Sequence, residues 1–216
     1  MTTAMFVRSA TRLRPVPFVP EISLLQADDI WALWEQTERE LGQSELPPPF
    51  WAFAWPGGCA LARYLLDHPD VLADRSALDI GSGSGLVAIA AAKAGATAVL
   101  AIEPDPLARA AIALNAAAND VPPPRCVDAA GEAEFAADVV LAGDVWYERE
   151  MAETVMTYLD QAAVSGATIL AGDIGRRYFP RDRFDCLASY ELEASFDLEG
   201  KPVLTASVWR LKPAFP

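Results

Sequence analysis

A glycine-rich turn joins an apolar run to an alanine-rich stretch, with the sequence Leu78-Asp79-Ile80-Gly81-Ser82-Gly83-Ser84-Gly85-Leu86. The apolar run predicts a strand and the alanines predict a helix, so the missing side chains let a ligand approach the backbone between them. We expect this ligand to contact Asp79, Gly81, Ser82 and Gly83. A dinucleotide-binding loop would need glycine or alanine at position 86, and Leu86 argues against that ligand. The alternative is a tight turn that binds nothing.

A carboxylate follows the next predicted strand. Thr97 to Ile102 is rich in β-forming residues, and Glu103 closes it. Glu103 lies about 20 residues after the glycine turn, which is where a carboxylate can accept both hydroxyls of a ribose. Asp105 can cap the following helix, whose first residue is Pro106, and we count it among the residues of the ligand site. The alternative is that Glu103 merely begins a loop.

A second polar pair follows a later predicted strand. Ala137 to Leu141 predicts a buried strand, and Asp144 and Tyr147 come just past its carboxyl end. In open α/β sheets, ligands bind outside these ends, near the point where strand order reverses. Asp144 and Tyr147 therefore lie where a reaction partner would meet the ligand of the glycine turn. The alternative is that Asp144 caps the helix starting near Glu148 and that Tyr147 packs beneath it.

Composition excludes several kinds of chemistry. The one histidine, His68, has no Gly-x-Ser-x-Gly motif to accompany it, and the three cysteines are scattered, so neither a catalytic triad nor a metal site is expected. The formal net charge of −13 argues against nucleic acid as a partner and suits a cationic acceptor, although plain solubility explains it equally well. No apolar run approaches membrane-spanning length, and we expect a cytoplasmic monomer.

The elements that must position these residues alternate along the chain. We predict strands at 76–80, 97–102, 125–128, 137–142, 167–171, 184–195 and 202–211, and helices at 28–41, 59–67, 86–94, 106–118 and 148–163. Residues 1–20 are predicted to be extended, and Leu198 to Lys201 to form a hairpin turn. The order predicts an α/β fold: a Rossmann-like, mostly parallel, seven-stranded sheet with an antiparallel C-terminal hairpin and helices on both faces. We expect one domain, 1–216, in which residues 1–58 cover the cofactor and acceptor side.

The aspartate followed by Gly-x-Gly-x-Gly resembles the S-adenosylmethionine loop of class I methyltransferases. Three further segments make the resemblance more specific: Phe50-Trp51-Ala52-Phe53-Ala54-Trp55-Pro56-Gly57-Gly58, Asp144-x-x-Tyr147 and Gly172-Asp173-Ile174-Gly175-Arg176. Together they are similar to the electron transfer flavoprotein beta-subunit lysine methyltransferases, whose bacterial members are often labelled nicotinamide N-methyltransferase-like. The likeness runs from about Pro20 to Leu211, and Ile174 stands where the family has proline.

This resemblance implies S-adenosyl-L-methionine as cofactor and a lysine of the flavoprotein beta subunit as acceptor. Trp55 would then cover the cofactor, and the alternative is that it only packs over the edge of the sheet. Asp128 ends the short third strand, from which it can reach the adenine amino group. Asp144 would orient the lysine nitrogen and stabilise its growing charge, while Tyr147 would add a hydrogen bond or an aromatic face. Two other interpretations stay open: methylation of a small pyridine-like amine or of another protein, and a cofactor-binding, chaperone-like protein without turnover.

Overall fold

A computed structural model describes residues 2–128, 137–193 and 203–213. The described helices are α1 (Thr3–Ala10), α2 (Ile30–Leu41), α3 (Pro56–Asp67), α4 (Leu86–Lys93), α5 (Pro106–Ala118) and α6 (Arg149–Val164). The described strands are β1 (Arg12–Val16), β2 (Val19–Gln26), β3 (Ser76–Ile80), β4 (Ala98–Ile102), β5 (Arg125–Val127), β6 (Val139–Gly143), β7 (Thr168–Asp173), β8 (Phe184–Glu193) and β9 (Val203–Leu211). The turn predicted at 198–201 lies outside the described residues.

Seven of these strands form one sheet in the order β5-β4-β3-β6-β7-β9-β8. The five strands from β5 to β7 run parallel, whereas β9 is antiparallel to both β7 and β8. The chain runs from β3 through β4 to β5 in one direction and from β6 to β7 in the other, so strand order reverses between β3 and β6. The predicted fold class is confirmed, including the antiparallel C-terminal strands.

Successive side chains of the buried strands point to opposite faces of the sheet, so the core has two layers. Ala77 and Leu141 pack toward α3 and α4, while Leu78 and Val140 pack toward α6. Since both faces of the sheet are covered, the sequences of the central strands are nearly continuous runs of apolar residues. Among the described residues, no helix is both long and apolar enough to cross a membrane.

The N-terminal region corrects one prediction. Residues 3–10 form α1 rather than extended chain, because the first proline is Pro15 and the Oγ1 of Thr2 accepts the N–H of Met5 as an N-cap. The strands β1 and β2 pair as an antiparallel hairpin. Helix α2, predicted at 28–41, starts after its N-cap Asp29 and is followed by its C-cap Gly42.

Two asparagines, Asn115 of α5 and its C-cap Asn119, hold the hairpin against this helix. The N–H of Leu25 donates to Oδ1 of Asn115 at 2.8 Å, and that of Ser23 donates to Oδ1 of Asn119 at 2.9 Å. Both asparagines are buried. Because the side-chain amides complete the backbone bonding of β2, they fix the hairpin beside the carboxyl edge of the sheet.

Candidate active site

Every parallel strand of the sheet carries a carboxylate at or near its carboxyl end. In spatial order these residues are Asp128, Glu103, Asp79, Asp144 and Asp173. They share one edge because parallel strands all end on the same side. That edge includes the point where strand order reverses, which is where α/β folds bind ligands.

The glycine turn keeps an open backbone surface at the end of β3. Gly81, Gly83 and Gly85 all have positive φ, a region that side chains rarely adopt. A Cβ atom placed on Gly83 would find no neighbour nearer than the carbonyl oxygen of Gly81, 3.9 Å away. Among the residues that the structure describes, none fills the space that this Cβ atom would enter, and the turn fits a ligand that lies against the main chain.

Asp79 holds the conformation of this turn through hydrogen bonds. Its Oδ2 accepts the hydroxyl of Ser82 at 2.6 Å and the N–H of Ala88, in the first turn of α4, at 3.1 Å. Asp79 is only 1% exposed, and burial raises its pKa to about 7. The carboxylate thus fixes the shape of the turn, a role that the sequence pattern alone did not separate from direct ligand contact.

Glu103 lies across the turn from Asp79. Its Oε2 accepts the N–H of Gly83 at 2.8 Å, and its Oε1 accepts that of Asp105 at 3.0 Å. Burial raises the pKa of Glu103, although these two N–H groups act in the opposite direction. Glu103 thus joins the end of β4 to the glycine turn. Asp105 caps α5 by accepting the N–H of Leu107 at 2.8 Å.

Asp128 differs from Asp79 and Glu103 because its side chain is exposed to solvent. It follows β5, its side chain is 62% exposed, and it forms an ion pair with Arg109 of α5. Arg109 also donates to the carbonyl oxygen of Glu103 at 3.1 Å, which connects Asp128 to Glu103 through one side chain.

Asp144 occupies a buried position between three elements. Its Oδ2 accepts the N–H of Gly58, in the first turn of α3, at 2.7 Å, and its Oδ1 accepts from the guanidinium of Arg176 at 3.2 Å. The residue has a positive φ of 56°, which aspartate tolerates better than most residues. The helix-cap alternative named the wrong helix: Glu148 stands at the start of α6, and Asp144 lies at the N-terminus of α3.

Close glycine packing brings α3 to this position. A Cβ atom on Gly172 of β7 would overlap the carbonyl oxygen of Gly57, and one on Gly57 would lie 2.7 Å from Oδ2 of Asp144. Side chains at either position would push the helix away. The paired glycines therefore let the N-terminus of α3 reach the carboxyl ends of β6 and β7.

Tyr147 belongs to an aromatic cluster with Phe50 and Trp55. The ring of Phe50 packs edge-on against Tyr147 at 5.3 Å and against Trp55 at 5.4 Å. The indole N–H of Trp55 donates to the carbonyl oxygen of Phe50 at 2.8 Å, which fixes the ring. Burial raises the pKa of Tyr147, yet 39% of the residue remains exposed. The cluster thus has one face open to solvent.

Arg176 is a site residue that the sequence analysis quoted without assigning a role. Oδ1 of Asp173 accepts the N–H of Gly175 at 2.6 Å and that of Arg176 at 2.7 Å, which bends the chain after β7. The bend places the guanidinium beside Asp144 and 5.9 Å from the centre of the Trp55 ring. An aspartate at a strand end with a glycine and an arginine shortly after it was the available signal.

The two halves of the site touch each other. β3 and β6 pair directly, with Ile80 opposite Ala142. A Cβ atom on Gly81 would lie 2.9 Å from Cγ1 of Val145, the residue that follows Asp144. The glycine turn and the Asp144–Tyr147 segment are therefore neighbours, and a ligand on one borders the other.

Known proteins with similar sequences identify the family of this chain. The electron transfer flavoprotein beta subunit lysine methyltransferase of Danio rerio is 36% identical over 198 residues, covering 88% of this chain and 76% of that protein. Its Xenopus laevis counterpart is 33% identical over 218 residues, covering 96% and 86%. The chain belongs to this lysine methyltransferase family. The predicted family and the predicted methyltransferase activity are confirmed.

Two further matches concern the methyltransferase fold. The family model for ribosomal protein L11 methyltransferase (PrmA) matches residues 60–177, more than half of the chain. The structure of magnesium protoporphyrin IX methyltransferase from Synechocystis, which has S-adenosylmethionine bound, superposes with a TM-score of 0.52 at 15% identity. That match covers 72% of this chain and 78% of the other, and at such identity it shows the fold alone.

Proposed function

We propose that this methyltransferase uses S-adenosyl-L-methionine to methylate a lysine of the electron transfer flavoprotein beta subunit. The observation that carries the proposal is the buried carboxylate of Asp144, which lies next to the glycine turn and beside the partly open aromatic cluster. The turn offers a site for the cofactor, and the cluster offers an approach for the acceptor. The names of the relatives from Danio rerio and Xenopus laevis support this acceptor.

The cofactor side fits a nucleoside that carries no pyrophosphate. Free space lies in front of Gly83, and Glu103 presents a carboxylate that can accept ribose hydroxyls in addition to its two N–H groups. We assign Gly81, Ser82 and Gly83 to the methionine end, with Asp79 holding their conformation. Asp105, Asp128 and Trp55 complete the proposed cofactor set.

The bound cofactor would supply a methyl group on a positively charged sulfur. The work of the protein is to hold a neutral amine in line with that methyl carbon, so positioning dominates the rate. Asp144 would accept a hydrogen bond from the lysine nitrogen and stabilise its positive charge as the new bond forms. Tyr147 and Phe50 would line the path of the alkyl chain, and Tyr147 would face a methylated ammonium.

We further propose that residues 1–58 act as a cover over this edge of one domain. Phe50 and Trp55 come from that region and contact Tyr147 or Arg176 of the sheet domain. We also propose that the enzyme acts as a monomer in the cytoplasm, and that nucleic acid is not its substrate. The net charge of −13 supports the last point.

Transfer of labelled methyl groups into a lysate tests the acceptor class. The enzyme and labelled S-adenosylmethionine are incubated with lysate from a strain that lacks the gene, and proteins are separated from small molecules. Label on the flavoprotein beta subunit, identified by mass spectrometry, supports the proposal. Label confined to small amines supports the nicotinamide-like alternative, and label on ribosomal protein L11 would assign the activity named by the matching family model.

A further inference from the structure

A cavity of about 480 Å³ lies beside the proposed acceptor site, within the volume range of ligand pockets. Its walls come from the β1–β2 turn, the β2–α2 connection, the segment leading into α3, and the end of β8. No residue of the glycine turn belongs to the described lining. Apart from Trp55, which borders both, the residues proposed to bind the cofactor lie outside this lining, and the cavity has no function assigned so far.

The lining combines aromatic rings with carboxylates. Trp31, Trp55 and Phe53 provide aromatic surface, while Asp28, Asp29 and Glu193 provide acidic groups. Asp28 pairs with Arg14, and Asp29 caps α2, but the described lining itself contains neither lysine nor arginine. Rings and carboxylates together bind cationic side chains.

Trp31 is the most exposed of these rings. It is 63% exposed and stacks on Trp34 at 5.7 Å between ring centres. The indole N–H of Trp34 donates to the carbonyl oxygen of Leu46 at 2.9 Å, which fixes the ring on which Trp31 stacks. An ordered, solvent-facing aromatic pair at the mouth of an acidic cavity is typical of an interaction surface.

A backbone hydrogen bond joins two of the segments that form the cavity walls. The N–H of Ala27 donates to the carbonyl oxygen of Ala52 at 3.0 Å, which ties the β2–α2 connection to the segment before α3. Trp55 then links the cavity to the active site, since its ring packs on Phe50 and lies under Arg176. A chain that occupies the cavity would continue toward Tyr147 and Asp144.

We propose that this cavity, with Trp31 at its mouth, binds a basic segment of the protein substrate next to the methylated lysine. The inference rests on the proposed function, because it assigns the cavity to the substrate of that site. The occupant is a lysine- or arginine-containing peptide in extended form. Its charge complements Asp29 and Glu193, whereas the charge of Asp28 is balanced by Arg14, and its alkyl chains fit the aromatic walls.

Direct peptide binding tests the cavity without requiring turnover. A fluorescein-labelled peptide of alternating lysine and alanine is titrated with the full chain, and anisotropy is recorded with and without added salt. We expect Trp31→Ala and Glu193→Gln each to weaken binding by about fivefold, and salt to weaken it further. A peptide with glutamate in place of lysine should bind far more weakly.

Matched controls remove the same chemistry from outside the cavity. Glu191→Gln changes the same charge on the same strand, and Leu187→Ala removes an exposed apolar side chain; neither residue lines the cavity. Both controls should bind the peptide like wild type. If Trp31→Ala and Glu193→Gln also bind like wild type, the cavity is not the docking site, even if methyl transfer occurs. If binding depends on them while no lysine is ever methylated, the docking site stands and the proposed function fails.

Discussion

Asp144 accepts a buried hydrogen bond from α3 and is also proposed to orient the lysine nitrogen, so its substitution should affect both stability and turnover. Asp144→Ala removes the acceptor of the Gly58 N–H, a bond of 2.7 Å in a buried place. An unpaired buried N–H costs about 1–3 kcal/mol, and alanine at a φ of 56° adds about 1 kcal/mol. We expect a loss of about 3 kcal/mol in the free energy of unfolding, which lowers the melting temperature by about 10 °C in a chain of this size.

Asp144→Asn separates the two roles. Asparagine keeps an oxygen for the Gly58 N–H and tolerates the left-handed backbone, so the loss of unfolding free energy should be about 1 kcal/mol. The charge that stabilises the amine is nevertheless gone. We therefore expect turnover to fall by about 100-fold or more in both variants, with affinity for S-adenosylmethionine within several-fold of wild type.

Calorimetry, thermal unfolding and turnover on one preparation of each variant check this reasoning. Asp138→Ala is the control, because Asp138 accepts the N–H of Ser76 at the opposite end of β6 and should lose stability without losing turnover. If Asp144→Asn keeps wild-type turnover, Asp144 is a cap for α3 alone and the proposed acceptor site is wrong.

Three further predictions concern the glycine turn. Gly83→Val should abolish S-adenosylmethionine binding while the protein stays folded, because its side chain would enter the free space and its backbone resists a φ of 52°; calorimetric binding at wild-type strength would refute this. Glu103→Gln should weaken binding by about 10- to 100-fold through loss of a charge-assisted acceptor, and an unchanged affinity would remove Glu103 from the site. The pKa of Asp79, raised to about 7 from 3.8, means that between these values the unfolded chain binds fewer protons than the folded chain. The free energy of unfolding therefore falls as pH rises through this window, by up to about 1.4 kcal/mol per pH unit. Asparagine does not titrate, so the melting temperature of Asp79→Asn relative to wild type should increase from pH 5 to pH 8. A constant difference in melting temperature would contradict the raised pKa of Asp79.

Local sequence signals predicted the sheet domain well. Helix α5 begins at Pro106 and ends at Ala118 as expected, because Asp105 caps it and proline suits its first position. The apolar strands were equally clear, since burial on both faces leaves a continuous apolar run. Glu103 and Asp144 could be placed at one edge because parallel strands end on the same side.

The N-terminal region was harder to predict because its order depends on distant partners. The hairpin is held by Asn115 and Asn119, roughly 90 residues away in the chain, and no local pattern shows those bonds. The contact of Asp144 with Gly58 is equally distant, so the sequence suggested a cap on the adjacent helix instead. Arg176 could be recognised once the fold placed it beside Asp144.

We propose that one edge of the sheet holds the cofactor and presents a lysine to it. Incubation of purified electron transfer flavoprotein with the enzyme and S-adenosylmethionine, followed by peptide mass spectrometry, tests this claim most directly. We expect methyl groups on lysine of the beta subunit with wild-type enzyme, and none above background with Asp144→Asn or Gly83→Val. An unmodified beta subunit, in the presence of enzyme that binds the cofactor, would contradict it.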